Sequence, residues 1–172
     1  MGMFFSKPQI AVLELLRICG ALSVRQTEEL LRRFHKKLRF AETVRPLCDS
    51  GLAYIGGEYL IDRCGGSPNL AFIKSVDAML LSEPEGVPQF QKGTDPFTLT
   101  FFKQRKDKLW RYDICPVRPG TEVRINAALE NIPAKYRKIL FLPDSMEQQT
   151  EIHVACEHCF VLHDKDGYHF YQ

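Results

Sequence analysis

Residues 8–65 carry three apolar-periodic segments in succession, each closed by a break, and end in two short apolar runs around Gly56 and Gly57. That order leaves few ways to bury the apolar faces, because three short helices must pack on one another before a small hairpin closes the unit. In "PQIAVLELLRIC", Ile10, Leu13, Leu16 and Arg17 fall at helical spacing, with Pro8 suited to the first turn and Gly20 to the stop. "ALSVRQTEELLRRF" restarts the helix. Ser23 predicts the N-cap, Gln26 three residues on completes a capping box, and Val24, Thr27, Leu30 and Leu31 form the apolar stripe. "FAETVRPLCDSG" predicts a third helix stopping at Gly51, with Pro46 either kinking it or shortening its regular part. "LAYIGGEYLIDR" then reads as a hairpin turning at Gly56-Gly57, and "CGGSPN" as a linker.

The second part opens with a helix in "NLAFIKSVDAMLL", where Phe72, Val76, Met79 and Leu80 share a face. A polar, proline-bearing loop follows in "SEPEGVPQFQKGTDP". "FTLTFFKQ" and "LWRYDICPV" predict a hairpin across "RKDK", and "TEVRINAALENIPAKY" a helix with Val123, Ala127 and Leu129 on neighbouring faces. "KILFLP" is a short apolar run that suits a buried strand. "DSMEQQTEIHV" predicts one more helix, and "CFVLHDKDGYHFYQ" a closing hairpin. The order α-β-β-α-β-α-β-β predicts a sheet with helices on it.

Bulk properties exclude several classes. In 172 residues, 45% hydrophobic and 26% charged, the chain has the composition of one medium or two small globular domains. No apolar run reaches the roughly 18 residues needed to span a bilayer. Glu14 and Arg17 interrupt the apolar start, which argues against a signal peptide, and Gly2 with Ser6 is too short a pattern to carry a myristoylation reading. Of six cysteines, Cys19, Cys48, Cys64 and Cys115 are scattered and read as thiols of a reducing compartment, so a cytoplasmic protein is expected.

A net charge of +2 decides nothing, but its distribution does. From Arg25 to Arg45 there are seven bases (Arg25, Arg32, Arg33, Lys36, Lys37, Arg39 and Arg45) against Glu28, Glu29 and Glu42. A surplus of this kind around a third helix predicts contacts to DNA phosphates, with Thr43, Arg45 and Glu42 as candidates for base edges. The bland alternative is an ordinary solvated face. Glu58 in the hairpin makes it a poor phosphate clamp.

"ALSVRQTEELL", "FAETVRPLCDSGLAYI" and "GGEYLI" together resemble a winged helix-turn-helix domain. With the cadence "YDICPV…LENIPAKYRKILFLPDS…FVLHDKDGYHFY", the chain is similar to the replication-relaxation-like proteins of Gram-positive mobile elements and related uncharacterised families. The resemblance implies an α+β protein: a winged helix-turn-helix domain over residues 1–65 and, over residues 66–172, an α/β sheet domain resembling a degenerate restriction-endonuclease-like core. It implies a DNA-binding accessory or regulatory protein of a plasmid or transposon, acting on double-stranded DNA and beside other mobile-element proteins. A homodimer is expected because symmetric pairs are the usual way such modules lengthen their site, and the apolar runs predict no membrane role. Such nucleases need an Asp on one strand and acid-x-Lys on the next to hold Mg²⁺. Asp113 is the one candidate on a strand, and Cys115 stands where the Lys should be. Catalysis and a cofactor are therefore not expected, and pairing of Asp113 with Arg111 or Arg118 is. Two alternatives stay open: a divergent Mg²⁺-dependent nuclease using Asp113 with Glu122 or Glu130, and a winged-helix adaptor for a partner protein.

Cys156 and Cys159 have C-x-x-C spacing, with His153 and His163 as further candidate ligands. A structural zinc site usually shows a second pair of ligands about a dozen or more residues away. None follows here, and alternation along a strand from Cys159 would separate neighbours. Buried thiols at the start of a strand are the expectation; a redox pair suits a strand-to-helix junction instead.

Overall fold

The structure, a computed structural model, describes residues 4–172. Gly2 lies outside the described residues. The chain forms two compact units, Met1–Ile73 with Pro84–Val87, and Lys74–Glu83 with Pro88–Gln172. It is an α+β protein with a three-stranded and a six-stranded sheet. Among the described residues, no helix is long and apolar enough to cross a membrane.

The first unit runs α1 (Lys7–Cys19), β1 (Ala21–Ser23), α2 (Val24–Phe34), α3 (Phe40–Asp49), β2 (Ala53–Gly56) and β3 (Tyr59–Asp62). A capping box between Ser6 and Gln9 starts α1, and Gly20 ends it at φ 77°. The buried stripe of α1 is Val12, Leu13, Leu15, Leu16 and Cys19, whereas Ile10 is 44% exposed and stands outside the core that its spacing suggested. Each fully buried Leu here contributes about 1.5–3 kcal/mol over its exposed state. Ser23 caps α2 as the sequence predicts, its hydroxyl accepting from the Gln26 amide at 3.1 Å.

Three details differ from the sequence reading. Residues 21–23 leave the helix pattern to form β1, which pairs antiparallel with β3 and buries Ala21 and Leu22. Three residues are too few for periodicity to show. The hairpin turns at Gly57-Glu58, not Gly56-Gly57, because Gly56 pairs with Tyr59 and it is Gly57 that adopts φ 61°. Pro46 sits inside an α3 that runs through it. The Glu42 carbonyl that Pro46 cannot bond belongs to the exposed side of the helix, where water can serve it.

Helix α4 (Leu70–Ser82) begins in the first unit and continues into the second. The second sheet has the order β4-β5-β6-β7-β8-β9: β4 (Gln89–Lys92), β5 (Leu99–Arg105), β6 (Lys108–Val117), β7 (Arg137–Pro143), β8 (Glu157–Asp164) and β9 (Gly167–Tyr171). Strands β6, β7 and β8 are mutually parallel, and the other pairs are antiparallel. Between β6 and β7 lies α5 (Glu122–Leu129), and between β7 and β8 a 3-10 helix, Met146–Glu151.

One sheet face packs Cys115, Val117, Ile139, Phe141 and Phe160 against Ile125 and Leu129 of α5. The other carries Leu99, Phe101, Ile114 and Leu140, all buried. There α4 is tied down by Tyr168 Oη donating to Asp77 at 2.7 Å and Lys103 Nζ donating to the Ser82 carbonyl at 3.0 Å. Strand β4 lies in a stretch read as loop, since Pro88 and Gly93 bracket only four residues. Val123 is 82% exposed, so α5 presents Glu122, Ile125 and Leu129 to the core, of which Leu129 alone was predicted, and the helix ends at Leu129 rather than running on through "ENIPAKY".

Candidate nucleic-acid interface

The turn between α2 and α3 is where charge is exposed. His35, Lys36, Lys37 and Arg39 are all exposed there, and the Lys37 amide donates to His35 Nδ1 at 3.2 Å. Helix α2 stops at His35 because the chain turns extended at that residue (φ −162°), and α3 starts one residue after Arg39. Among the described residues, Lys36 and Lys37 form no ion pair, so two amines face solvent without a carboxylate partner. Arg39 is 79% exposed, with Glu42 3.8 Å away. Beside the turn is a cleft of about 240 Å³ lined by Glu28, Arg32, Leu38, Arg39 and Phe40.

The flanking helices contribute less than their sequence suggested. Arg32 is 62% exposed but lies 3.9 Å from Glu28 and 3.6 Å from Glu29. Arg45 pairs with Asp49 at 3.5 Å on the outer face of α3. Exposed helical pairs of this kind are worth about 0.3–0.5 kcal/mol, so a phosphate can displace them cheaply. Arg25 is exposed in the first turn of α2.

Two residues expected at the interface turn inward. Arg33 has a side chain only 8% exposed, held by Glu29 at 3.1 Å and donating to the Gly86 carbonyl at 3.5 Å. Thr43 is buried on the inner face of α3 with Val44 and Leu47, so its hydroxyl cannot reach a base edge. The β2–β3 hairpin carries no basic residue from Ala53 to Asp62 and exposes Tyr54, Ile55 and Glu58.

In the second unit Asp113 is fully buried at the middle of β6, in register with Thr100 on β5 and Ile139 on β7. Thr100 Oγ1 donates to Asp113 Oδ1 at 2.5 Å, Arg137 Nε donates to Oδ2 at 2.6 Å, and Arg111 Nε reaches both oxygens at 3.0 Å. Pairing with Arg111 follows the sequence expectation. Arg118 takes no part. Arg137 was missed, because only the parallel register of β7 against β6 brings it to Asp113.

The other acids lie elsewhere. Glu122 accepts from Gln148 Nε2 at 2.8 Å, which with neighbouring backbone amides holds its carboxyl below the usual range. Glu130 is exposed at the end of α5.

Cys156 packs in the α5-side core, whereas Cys159 pairs in register with Leu140 on the opposite face. Burial pushes both thiols up. His153 is exposed, its backbone amide donating to Asn126, and His163 lies against Tyr168 with ring centroids 4.5 Å apart. Among the described residues, no three His, Cys, Asp or Glu side chains gather as metal ligands.

No protein-family model matches the chain, and no curated protein or solved structure is significantly similar to it.

Proposed function

We propose that the protein is a DNA-binding accessory or regulatory protein whose first unit is a winged helix-turn-helix domain and whose second unit is a non-catalytic relative of a nuclease core. The exposed basic turn Lys36–Arg39, at the entry to α3, carries the reading. The order α1-β1-α2-α3-β2-β3, with β3 between β1 and β2, supports the winged-helix reading, in which the turn and the start of α3 would face a DNA backbone. In the second unit, the order α4-β4-β5-β6-α5-β7 with β7 parallel to β6 supports the nuclease-core resemblance. Commitment of the Asp113 carboxylate to three donors supports the absence of catalysis. On this reading the protein acts in the cytoplasm as a homodimer, its six thiols free, in plasmid or transposon replication, transfer or transcription control.

Phosphate contacts of this kind fix position without reading sequence, and their affinity falls steeply with salt. The test is fluorescence anisotropy with random duplex DNA across a salt series, comparing the parent with the Lys36→Ala, Lys37→Ala, Arg39→Ala triple variant. Three lost phosphate contacts should reduce the slope of log affinity against log salt by about 2.7. An unchanged slope overturns the placement of the surface. One observation favours an adaptor role instead: the edge strand β2 exposes Tyr54 by 49% and Ile55 by 54%, with no base beside them. No duplex binding at low salt, together with salt-insensitive retention of a partner through Tyr54 and Ile55, would establish that reading.

A further inference from the structure

The second unit gathers its aromatic and basic side chains at one end of the sheet. Trp110 on β6 and Tyr136, just before β7, meet edge to face with ring centroids 5.9 Å apart. The Arg105 guanidinium lies 4.1 Å over the Trp110 ring, and the amines of Lys135 and Lys108 lie 5.1 and 5.9 Å from the centre of Tyr136. Lys106 stands in the β5–β6 turn beside them, and Lys138 and Lys103 follow along the same face. Three carboxylates stand beside these cations. Glu157 is shared by Arg105 at 3.0 Å and Lys138 at 3.2 Å, Glu83 pairs with Lys103 at 3.1 Å, and Asp107 occupies the turn. Six cations thus stand against three acids, a local surplus larger than the +2 of the whole chain.

Backbone strain falls on the same spot. Lys106 and Tyr136 are the two non-glycine residues with positive φ among the described residues, at 54° and 55°. The left-handed conformation disfavours a side chain as large as Tyr, and such outliers cluster where a side chain must be presented in one direction. Here it holds the Tyr136 ring, 36% exposed, beside Trp110 while the Tyr136 carbonyl accepts from the Arg111 amide at 2.9 Å. Two residues along β6 on the same face, Tyr112 opens onto a cavity of about 280 Å³, whose lining includes Lys138, Leu140, Cys159 and Phe170.

We propose that this end of the sheet is a stacking platform for an unpaired nucleic-acid strand, with bases on Trp110 and Tyr136 and phosphates on Lys106, Lys108 and Lys135. Alternating aromatic and cationic groups are what an unpaired strand requires, because each nucleotide offers a π-face and an anion. Duplex bases are already stacked and have no use for these rings. The site is separate from the α2–α3 turn and does not depend on it.

Trp110 is the chain's single tryptophan, so its fluorescence reports directly on stacking. The full-length protein is titrated at low salt with oligothymidylate and oligouridylate of about ten nucleotides. Saturable quenching is expected, stronger for whichever sugar the strand in question carries. Tyr136→Gly is the informative variant: glycine accepts the positive φ, so folding should be unimpaired while affinity falls roughly tenfold or more with the lost ring. Paired Lys108→Ala and Lys135→Ala changes should flatten the salt dependence. The Lys36, Lys37, Arg39 triple variant should leave the quenching curve unchanged, which separates this site from the duplex surface. Absence of quenching overturns the proposal, as does an affinity that Tyr136→Gly leaves intact or that disappears in the α2–α3 triple variant.

Discussion

Asp113→Asn is the most discriminating change in the second unit. Asparagine keeps the shape of the side chain but replaces one acceptor oxygen by a donor amide, facing a set of donors. Arg111, with a side chain 37% exposed, can turn back to water. Arg137, at 9% exposed, cannot do so without opening the strand end. Removing one member of a buried ion pair costs about 3–5 kcal/mol, because the charge left behind remains desolvated. Thr100 adds little, since its hydroxyl can rotate to accept from the new amide. The expected loss is therefore about 3–5 kcal/mol. With a urea m-value of about 2 kcal/mol/M, the unfolding midpoint falls by roughly 2 M. Trp110 lies on the same strand and reports the transition of this unit. Adding Arg137→Met removes the stranded charge as well, and should recover at least half of the loss. An Asp113→Asn variant within about 1 kcal/mol of the parent would refute the argument that this carboxylate is a structural counter-ion. So would a double variant less stable than the sum of its single changes.

Three further outcomes follow from particular contacts. Ser23→Ala removes the hydroxyl that accepts from the Gln26 amide and should cost about 1 kcal/mol, measured as a lower midpoint for the first unit, with Ser23→Asp recovering most of it. Cys64 is exposed and should react with a thiol reagent within minutes under native conditions, while Cys19 and Cys115, which burial pushes up to about 12, react only on unfolding; equal rates for all six would contradict the packing. Glu122 titrates below its ordinary value of 4.5 in the folded chain, so its contribution is complete above that pH and is lost as pH falls through the lower folded value. Gln148→Leu should therefore make stability less steeply dependent on pH below about 4.5, and an unaltered slope would sink the assignment.

Most of the architecture was legible because its signals are local. Ser23 with Gln26, Gly20 at the end of α1 and Gly51 after α3 are each set by neighbouring backbone, so the three helices of the first unit could be placed within a residue or two. Elements that exist only through pairing were not. Ala21–Ser23 is a strand because β3 lies beside it, and Gln89–Lys92 because β5 does. Neither segment has enough residues for a period of two to stand out. Ile10 and Val123 show the same limit from the other side: apolar residues at suitable spacing were exposed because the neighbouring face of the helix met the core.

Charge was the harder quantity, and its misreading has one cause. A count along the chain adds every base from Arg25 to Arg45, but a helix returns each residue to those three and four positions away. Arg32 and Arg33 are thereby paired to Glu28 and Glu29, and Arg45 to Asp49, which lies just past the counted window. Only in the turn does a surplus persist, on Lys36 and Lys37, since Arg39 too has a carboxylate three positions on, Glu42, at 3.8 Å. The converse error hid the second basic region. Arg105, Lys108 and Trp110 come from one hairpin, whereas Lys135 and Tyr136 follow a helix and a loop; only the parallel register, pairing Arg111 with Arg137, joins them. A linear count thus overstates charge on helices and misses it at strand ends. The two surfaces should accordingly respond to different substitutions, and a variant that weakened duplex and single-strand binding equally would show that they are one.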